Sequence, residues 1–378
     1  MPTQRPPSGL FNASGLARRL RASPLFAIGP SEPGPALRRG ALIAVPIGAA
    51  LILELGFDAP VSGAIATGAL LAGFPAMDAP AGPRSAWQAA TAPLIGIAAA
   101  LGILSSQSAP AAVLTMGLVG AAAGYCFAVS LRLAIVGLSV ALALMIAQGL
   151  FLAPGDALPA LLYGTVGGLL QAVWSLLVWL FADRATEEEG SGWNAAAAVA
   201  ALSSNLNLQA RCFRHAIRFG AALAAGVALY RILGMTVHGF WIPLTILFVM
   251  RPERDETYHR LALRALGTVL GLIVATAIAE AFPGEDLLVG VVLTVSAALA
   301  YGLLTVQYAL FTAAITIYVV LLSDTLGEPA FEAAGQRAAG TALGILIAGV
   351  AFLLWPNPGE GEERPEKPNL APPEAAAR

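Results

Sequence analysis

Long apolar stretches, separated by short polar or Pro/Gly-containing breaks, dominate the pattern along this chain. A helix that crosses a bilayer needs about 20 mainly apolar residues, and twelve stretches approach that length. They cover 37–56, 59–77, 86–105, 110–129, 132–153, 158–182, 214–234, 236–250, 260–282, 286–304, 306–323 and 332–355. Strands of a membrane barrel would instead alternate over about ten residues. The pattern therefore predicts an all-α membrane protein with about twelve transmembrane helices.

Composition and net charge narrow the class further. Of the 378 residues, 57% are hydrophobic and 12% are charged, whereas soluble domains have about 45–50% apolar and about 25% charged residues. The formal net charge of −2 argues against a nucleic-acid partner, which requires a strongly basic surface. We therefore expect the lipid bilayer, and not a nucleic acid, to be the main partner.

The sequence contains no recognisable catalytic or metal-binding pattern. Its three histidines are not spaced for zinc, and neither an HExxH motif nor a Gly-x-x-x-x-Gly-Lys phosphate loop occurs. Cys126 and Cys212 lie in unlike surroundings and indicate neither a disulfide framework nor a cysteine metal site. We expect a protein that is not an enzyme and has no catalytic residues, no metal and no cofactor.

Basic residues predict the orientation of the helices. With the N-terminus in the cytoplasm, every Arg and Lys except Arg231 and Arg337 falls in a cytoplasmic segment, as the positive-inside rule requires. Both termini are then cytoplasmic. Because the composition is Ala-rich and favours Arg over Lys, we expect a multi-pass protein of a bacterial inner (plasma) membrane.

The stretches divide the chain into five regions. Residues 1–36 contain no continuous apolar segment typical of a secretory signal, which indicates a cytoplasmic tail. Residues 183–212 form a linker with an acidic run and an Ala-rich segment, for which a helix on the membrane surface and a solvated connector both remain open. The predicted regions are the tail 1–36, a first six-helix half 37–182, the linker 183–212, a second six-helix half 213–355, and a Pro/Glu-rich disordered cytoplasmic tail 356–378.

The two halves resemble repeats of one another. The last stretch of each carries Gly-Thr-x-x-Gly followed by a Trp, with Gly164 and Gly168 in the first half and Gly340 and Gly344 in the second. Six is an even number of crossings, so both halves would enter the membrane from the same side. The expected arrangement is two parallel halves related by a pseudo-two-fold axis along the membrane normal.

The most informative stretch runs from residue 238 to residue 271. Pro243 interrupts a short apolar segment, and Pro60 and Pro75 interrupt its counterpart in the first half. Paired irregular segments of this kind are a sequence-level indication of a transporter binding site. In the following helix, four residues share one face, which brings two arginines and two small glycines to one interface. These residues are Arg260, Arg264, Gly267 and Gly271.

This stretch resembles the fusaric acid resistance family of inner-membrane transporters. The matching residues are His238, Gly239, Phe240, Trp241, Pro243, Leu244, Thr245, Arg251, Pro252, Thr257, Arg260, Arg264, Gly267, Thr268 and Gly271. The resemblance covers 214–275 in detail and implies efflux of aromatic or other organic carboxylic acids, often with a periplasmic adaptor protein. The architecture is also similar to that of plant aluminium-activated malate transporters, which are anion channels. The first half lacks the His-Gly-aromatic-Trp and Arg-x-x-x-Arg elements.

Candidate residues of a binding site for an organic anion follow from the chemistry of their side chains. A guanidinium matches a carboxylate, and an Arg inside a membrane is a functional hypothesis by default, although a snorkelling topology anchor is the alternative. For Trp241 the interfacial aromatic belt is the favoured alternative, and we expect His215 and His259 to be solvated. The substrate-binding candidates are Arg264, Arg251, Arg260, Trp241, His238 and Thr245. The helix-packing candidates are Gly267, Thr268, Gly271, Gly164, Gly168, Gly340 and Gly344.

Proton coupling is the least supported part of this interpretation. It requires an intramembrane carboxylate or His, and the candidates Glu54, Glu280 and Asp324 all lie near the outer ends of their helices. The leading hypothesis is a proton-driven exporter of organic, above all aromatic, carboxylates. A passive organic-anion channel and a non-transporting membrane scaffold are the alternatives. Gly-x-x-x-Gly faces permit a homo-oligomer, but the same faces also pack helices within one chain.

Overall fold

The computed structural model describes residues 32–57, 61–182, 195–235, 239–325 and 330–355, and every regular element in these ranges is helical. Short 3₁₀ turns occur at Cys126–Ala128 and Pro154–Asp156. The prediction of an all-α chain is confirmed. The helices are α1 (Pro33–Phe57), α2 (Ser62–Gly73), α3 (Ala81–Ser106), α4 (Ala109–Tyr125), α5 (Leu131–Gly149), α6 (Ala157–Ala182), α7 (Ala195–Ser204), α8 (Arg211–Ile232), α9 (Trp241–Val249), α10 (Arg254–Ala281), α11 (Asp286–Leu303), α12 (Tyr308–Thr325) and α13 (Ala330–Leu354).

Within these ranges, 10 helices are long and apolar enough to cross a membrane. The predicted segments 59–77 and 236–250 contain only the 12-residue α2 and the nine-residue α9. At a rise of about 1.5 Å per residue these helices reach only about 18 and about 14 Å, less than the roughly 30 Å hydrocarbon core. The count of twelve spans is therefore not confirmed, because both second segments are broken helices.

Irregular backbone follows each short helix into the protein interior. After α2, the segment Phe74–Pro80 is largely buried, and Ala76 adopts a φ of 54°. After α9, the chain leaves the helix at Met250, which is also buried. Buried non-helical backbone is tolerated where protein or water surrounds it. The neighbouring helices provide that protein environment.

The six helices α1 to α6, the first set, pair in the same way as the six helices α8 to α13, the second set. In the first set, α1 packs on α2, α2 on α6, α3 on α5 and α6, and α4 on α5. In the second set, α8 packs on α9, α9 on α13, α10 on α12 and α13, and α11 on α12. This shared pairing supports the predicted repeat. The parallel orientation of the repeats, the domain boundaries and the membrane sidedness of the termini stay predictions.

The two sets also exchange contacts. The first helix of each set packs on the fourth helix of the other, as α1 on α11 and α8 on α4. Both large buried apolar clusters accordingly mix side chains from the two sets. The interior is therefore shared, and neither set has a separate core.

Small residues allow the helices to approach closely at these crossings. A methyl group added to Gly168 of α6 would lie 2.6 Å from Ala92 Cβ of α3, and one added to Gly344 of α13 would lie 2.6 Å from Thr245 Cβ of α9. The other predicted packing glycines lie at similar contacts: Gly340 on Trp241, Gly267 on Thr312, Gly271 on Thr316, and Gly164, whose carbonyl faces Gly68.

Gly344→Ala is expected to destabilise the protein, because the new methyl group would overlap Thr245. Overpacking of this kind costs about 1–3 kcal/mol. Gly349→Ala, on the same helix, is the matched control, since no described atom lies within 4 Å of the added Cβ. Thermal unfolding in detergent should show a lower midpoint for Gly344→Ala and an unchanged or raised midpoint for Gly349→Ala. Equal midpoints for both variants would contradict the close crossing of α9 and α13.

Candidate functional site

Two arginines lie in the interior of the second set of helices. Arg264 of α10 and Arg337 of α13 are both 0% exposed and are the largest fully buried side chains of the described chain. All three nitrogens of each guanidinium lack a hydrogen-bond partner among the described residues. The ion pairs found in the same ranges involve Arg132, Arg251 and Arg260 and leave Arg264 and Arg337 without a carboxylate.

One face of α9 holds both guanidinium groups. Trp241, Thr245 and Phe248 follow one another at i, i+4 and i+7, which places them on the same side of the helix. The Arg337 Cζ atom lies 4.4 Å from the centroid of the Trp241 ring, and the Arg264 Cζ atom lies 5.2 Å from that of Phe248. Cation–π contact of this kind is attractive, and more so away from water. The aromatic rings therefore fix the two charges at neighbouring places.

Tyr308 connects the two arginines to the start of α12. Its hydroxyl lies within electrostatic range of both Arg264 and Arg337 and is a polar neighbour of the Arg264 guanidinium, although no contact there meets hydrogen-bond distances and angles, and the two like charges act on each other. The Tyr308 hydroxyl donates a hydrogen bond of 3.0 Å to the Phe248 carbonyl. Tyr308 therefore supports the backbone of α9.

Buried threonines add further polar groups to the helices around the arginines. Their hydroxyl oxygens have no hydrogen-bond partner in the described part of the chain. They are Thr245 of α9, Thr268 of α10, Thr312 and Thr316 of α12, and Thr341 of α13. A buried charge or hydroxyl without a partner is costly in a low-dielectric interior. Two cations together with several hydroxyl donors therefore suit a bound anion, which would satisfy both needs at once.

The other two predicted arginines lie at the edge of this region. The Arg260 Nε atom is 2.9 Å from Glu256 Oε1, and the Arg251 Nε atom is 3.7 Å from the same oxygen. Arg260 also lies 4.7 Å from the centre of the Tyr308 ring. Glu256 therefore forms ion pairs with both arginines. Tyr308 lies between Arg260 and the buried pair Arg264 and Arg337, since it interacts with all three.

Two aromatic predictions differ from the structure. Trp241 is buried against Arg337 and does not face lipid, since α13 covers it through Gly340. His215 is 0% exposed, between Phe127 and Phe219 with ring centroids 5.3 Å away on either side, so the prediction of a solvated His215 is wrong. The reason is that α8 packs on α4. His259 is half-buried, and His238 lies outside the described residues.

The three candidate proton-coupling carboxylates lie apart from the arginine pair. Glu54 is half-buried on α1, beside Gly63 of α2, and acts electrostatically on Tyr318 of α12. Glu280 is exposed in the last turn of α10, and Asp324 is half-buried near the end of α12. Of the three, Glu54 has a buried polar neighbour from another helix.

Arg337 is the main residue that the sequence-based list of site residues omits. It was one of two basic residues that departed from the cytoplasmic distribution of positive charge, and that departure was the available signal. Its pairing with Arg264 depends on the packing of α10 against α13, which no local pattern reveals.

These features define a multi-pass helical membrane protein with a cationic site inside it. Residues 222–351 match the family described as fusaric acid resistance protein-like, the family that the signature in the sequence resembles. The match includes all of α9 to α12, the second half of α8 and most of α13.

Curated relatives match a similar share of the chain. The inner membrane protein YccS of Escherichia coli K12 is 39% identical over 158 residues, which is 41% of this chain and 22% of the relative. An uncharacterised ORF2 protein of Neisseria gonorrhoeae is 32% identical over 42% of this chain and 37% of its own length, and E. coli YhfK, also uncharacterised, is 30% identical over 41% and 22%. The chain thus spans less than two fifths of these relatives. No solved structure matches it.

Arg337→Met is expected to leave the ligand-free protein as stable as the wild type or more stable. The substitution removes three unpaired buried nitrogens, and unsatisfied groups cost roughly 1–3 kcal/mol each. Arg231→Met is the control, because Arg231 donates a 2.8 Å hydrogen bond to the Ser106 carbonyl and would lose it. Thermal unfolding in a buffer of low anion concentration should therefore rank Arg231→Met lowest. An equal loss in both variants would indicate that Arg337 is a paired structural residue.

Proposed function

We propose that this chain is an inner-membrane secondary transporter that exports organic anions, above all aromatic carboxylates, and that the proton gradient drives it. The observation that carries the proposal is the pair Arg264 and Arg337, whose six guanidinium nitrogens have no partner among the described residues. The family of residues 222–351 and the inner-membrane relative support the same class and location.

Carboxylate binding follows from the orientation of the arginines. Trp241 and Phe248 each lie beside one guanidinium, with Cζ-to-centroid distances of 4.4 and 5.2 Å, and the guanidinium N–H groups have no acceptor among the described residues. A carboxylate takes two parallel hydrogen bonds from such a group. An aromatic substrate would then place its ring beside the two aromatic side chains, where offset contact between rings is favourable.

The broken second helices supply the moving parts of the proposed cycle. The short helix α9 carries Trp241, Thr245 and Phe248, and α2 is its counterpart in the first set. In many transporters discontinuous helices form the substrate site and halves rock around it. We place the export pathway along α9, with Arg251 and Arg260 meeting the anion on the cytoplasmic side.

A passive organic-anion channel is the second candidate. It is favoured by the separation between the arginine pair and Glu54, because a coupled transporter must connect its proton site to its anion site. A non-transporting scaffold is the third candidate, and it requires substitutions in the signature to act only through folding. A periplasmic adaptor protein and a homo-oligomer remain predictions that go with the exporter.

Reconstituted vesicles separate these candidates. Labelled benzoate is expected to accumulate against its gradient only when a pH gradient is imposed, and Arg264→Gln is expected to abolish that accumulation at unchanged reconstitution. Arg132→Gln is the control, since Arg132 forms an exposed ion pair with Asp78 at 3.0 Å. Flux that merely equilibrates, with electrical current and no pH dependence, would establish the channel. Unchanged transport in Arg264→Gln would remove the arginine pair from the mechanism.

Glu54→Gln tests the coupling separately. If Glu54 carries the proton, the variant is expected to exchange benzoate across the membrane at near the wild-type rate but to lose accumulation driven by the pH gradient. Glu280→Gln, on an exposed turn, should accumulate benzoate normally. Retained accumulation in Glu54→Gln would exclude this carboxylate as the coupling site.

A further inference from the structure

A second set of buried polar side chains lies where α3 crosses α6. Gln88 of α3 and Gln171 of α6 are both 0% exposed, and Ser175 of α6 is 1% exposed. The oxygen and nitrogen of each amide and the hydroxyl of Ser175 all lack a hydrogen-bond partner in the described ranges. The α3–α6 crossing is the counterpart of the α10–α13 crossing that brings Arg264 near Arg337.

The register of the two helices places these three residues at one level. A methyl group on Gly168 would lie 2.6 Å from Ala92 Cβ, and one on Gly82 would lie 2.9 Å from the Trp179 Nε1 atom. The helices therefore run antiparallel along this crossing. Gln88 lies between its two α3 contacts, and Gln171 and Ser175 lie between the matching α6 contacts. Gln88 also precedes Ala92 by four residues, which puts it on the face towards α6.

Helix α3 and helix α10 carry side chains of different charge at corresponding positions of the two crossings. Helix α3 carries Arg84-x-x-x-Gln88, whereas α10 carries Arg260-x-x-x-Arg264 at the same spacing. Arg84 is itself buried and has interactions of its own. At the deeper position a neutral amide stands in the first set and a guanidinium in the second. The two crossings are alike in burial and in their lack of polar partners, but they differ in charge.

The unpaired amides of Gln88 and Gln171 suit a bound ligand that forms hydrogen bonds with them. Amide and hydroxyl groups buried without hydrogen bonds are expensive, and in a membrane interior the protein must satisfy them internally. Elsewhere the fold does so for an amide nitrogen. The Nε2 atom of Gln148, also 0% exposed, lies 2.9, 3.1 and 2.9 Å from three acceptors, Ser105 Oγ, the Ala112 carbonyl oxygen and Thr115 Oγ1, while its Oε1 atom has no partner in the described ranges. Gln88 and Gln171 have no such arrangement.

The chemistry of the crossing defines what it can bind. Each carboxamide offers donors and an acceptor side by side, and a Ser hydroxyl does both. An ionised carboxylate only accepts and would leave both amide oxygens unpaired. A protonated carboxyl group has one donor and one acceptor, so it pairs with a carboxamide through two parallel hydrogen bonds. A primary carboxamide has the same pattern and is uncharged at every accessible pH.

We infer that the α3–α6 crossing is a second binding site, which takes the uncharged carboxyl group of an organic acid through Gln88, Gln171 and Ser175. This inference rests on the proposed function for the identity of the ligand as an organic acid. The chain then has two sites of different charge preference, with the neutral acid bound between α3 and α6 and its anion bound at Arg264 and Arg337.

Benzamide and benzoate probe the two sites separately in the purified full chain at pH 8, where benzoate is ionised. Both ligands are expected to raise the midpoint of thermal unfolding of the wild type. Gln88→Met and Gln171→Met keep the side-chain length and remove the polar atoms, so each should weaken benzamide binding by about tenfold or more and leave the benzoate effect intact. Arg264→Gln should do the reverse.

Two further variants keep the test decisive. Ser175→Ala removes one hydroxyl and measures the site even if a methionine variant fails to fold. Gln148→Met is the matched control, because it removes a buried glutamine whose amide nitrogen is already paired, and it should keep the full benzamide effect. No benzamide effect in the wild type, or an effect that survives in Gln88→Met, Gln171→Met and Ser175→Ala, would overturn the inference. A missing benzoate effect alongside a normal benzamide effect would count against the anion site of the proposed function alone.

Discussion

The burial of two guanidinium groups without a carboxylate partner is the constraint on which the rest of this structure depends. A charge in a low-dielectric interior costs several kcal/mol even after relaxation, and Arg does not escape that cost by losing its proton. Arg264 and Arg337 are nevertheless both fully buried. The neighbouring aromatic side chains Trp241, Phe248 and Tyr308 contact or lie near these charges but do not neutralise them.

The short helix α9 is what makes this arrangement possible. A helix of full membrane length would present a continuous, internally bonded backbone, whereas nine residues followed by irregular chain leave room for side chains from α10 and α13 to meet. Close packing fixes its position, since Gly340 and Gly344 of α13 bring that helix against Trp241 and Thr245. The same small residues that stabilise the crossing therefore also position the cationic site.

The two sets of helices reuse one packing scheme for different chemistry. The same pairings recur, and the first helix of each set packs on the fourth helix of the other, so both large apolar clusters contain side chains of the two sets. Within that scheme, neutral Gln88 and cationic Arg264 occupy similar crossings. A difference of charge between otherwise similar crossings is the physical basis for the two sites of different charge preference that we infer.

The sequence by itself determined that the chain is helical and suited to a membrane, because apolar runs of spanning length leave few alternatives. The residues from His238 to Gly271 also indicated the similarity to the family that residues 222–351 match. The sequence also singled out Arg264, since a charge within such a run stands out. Only the tertiary structure decided that 59–77 and 236–250 hold short helices, that Trp241 and His215 are buried, and that Arg337 lies near Arg264. Hydropathy reports whether a segment prefers lipid to water. Which side chains meet inside the protein depends instead on crossings between helices that are distant in the chain, such as α10 and α13, which bring together Arg264 and Arg337, 73 residues apart. No local pattern encodes those crossings.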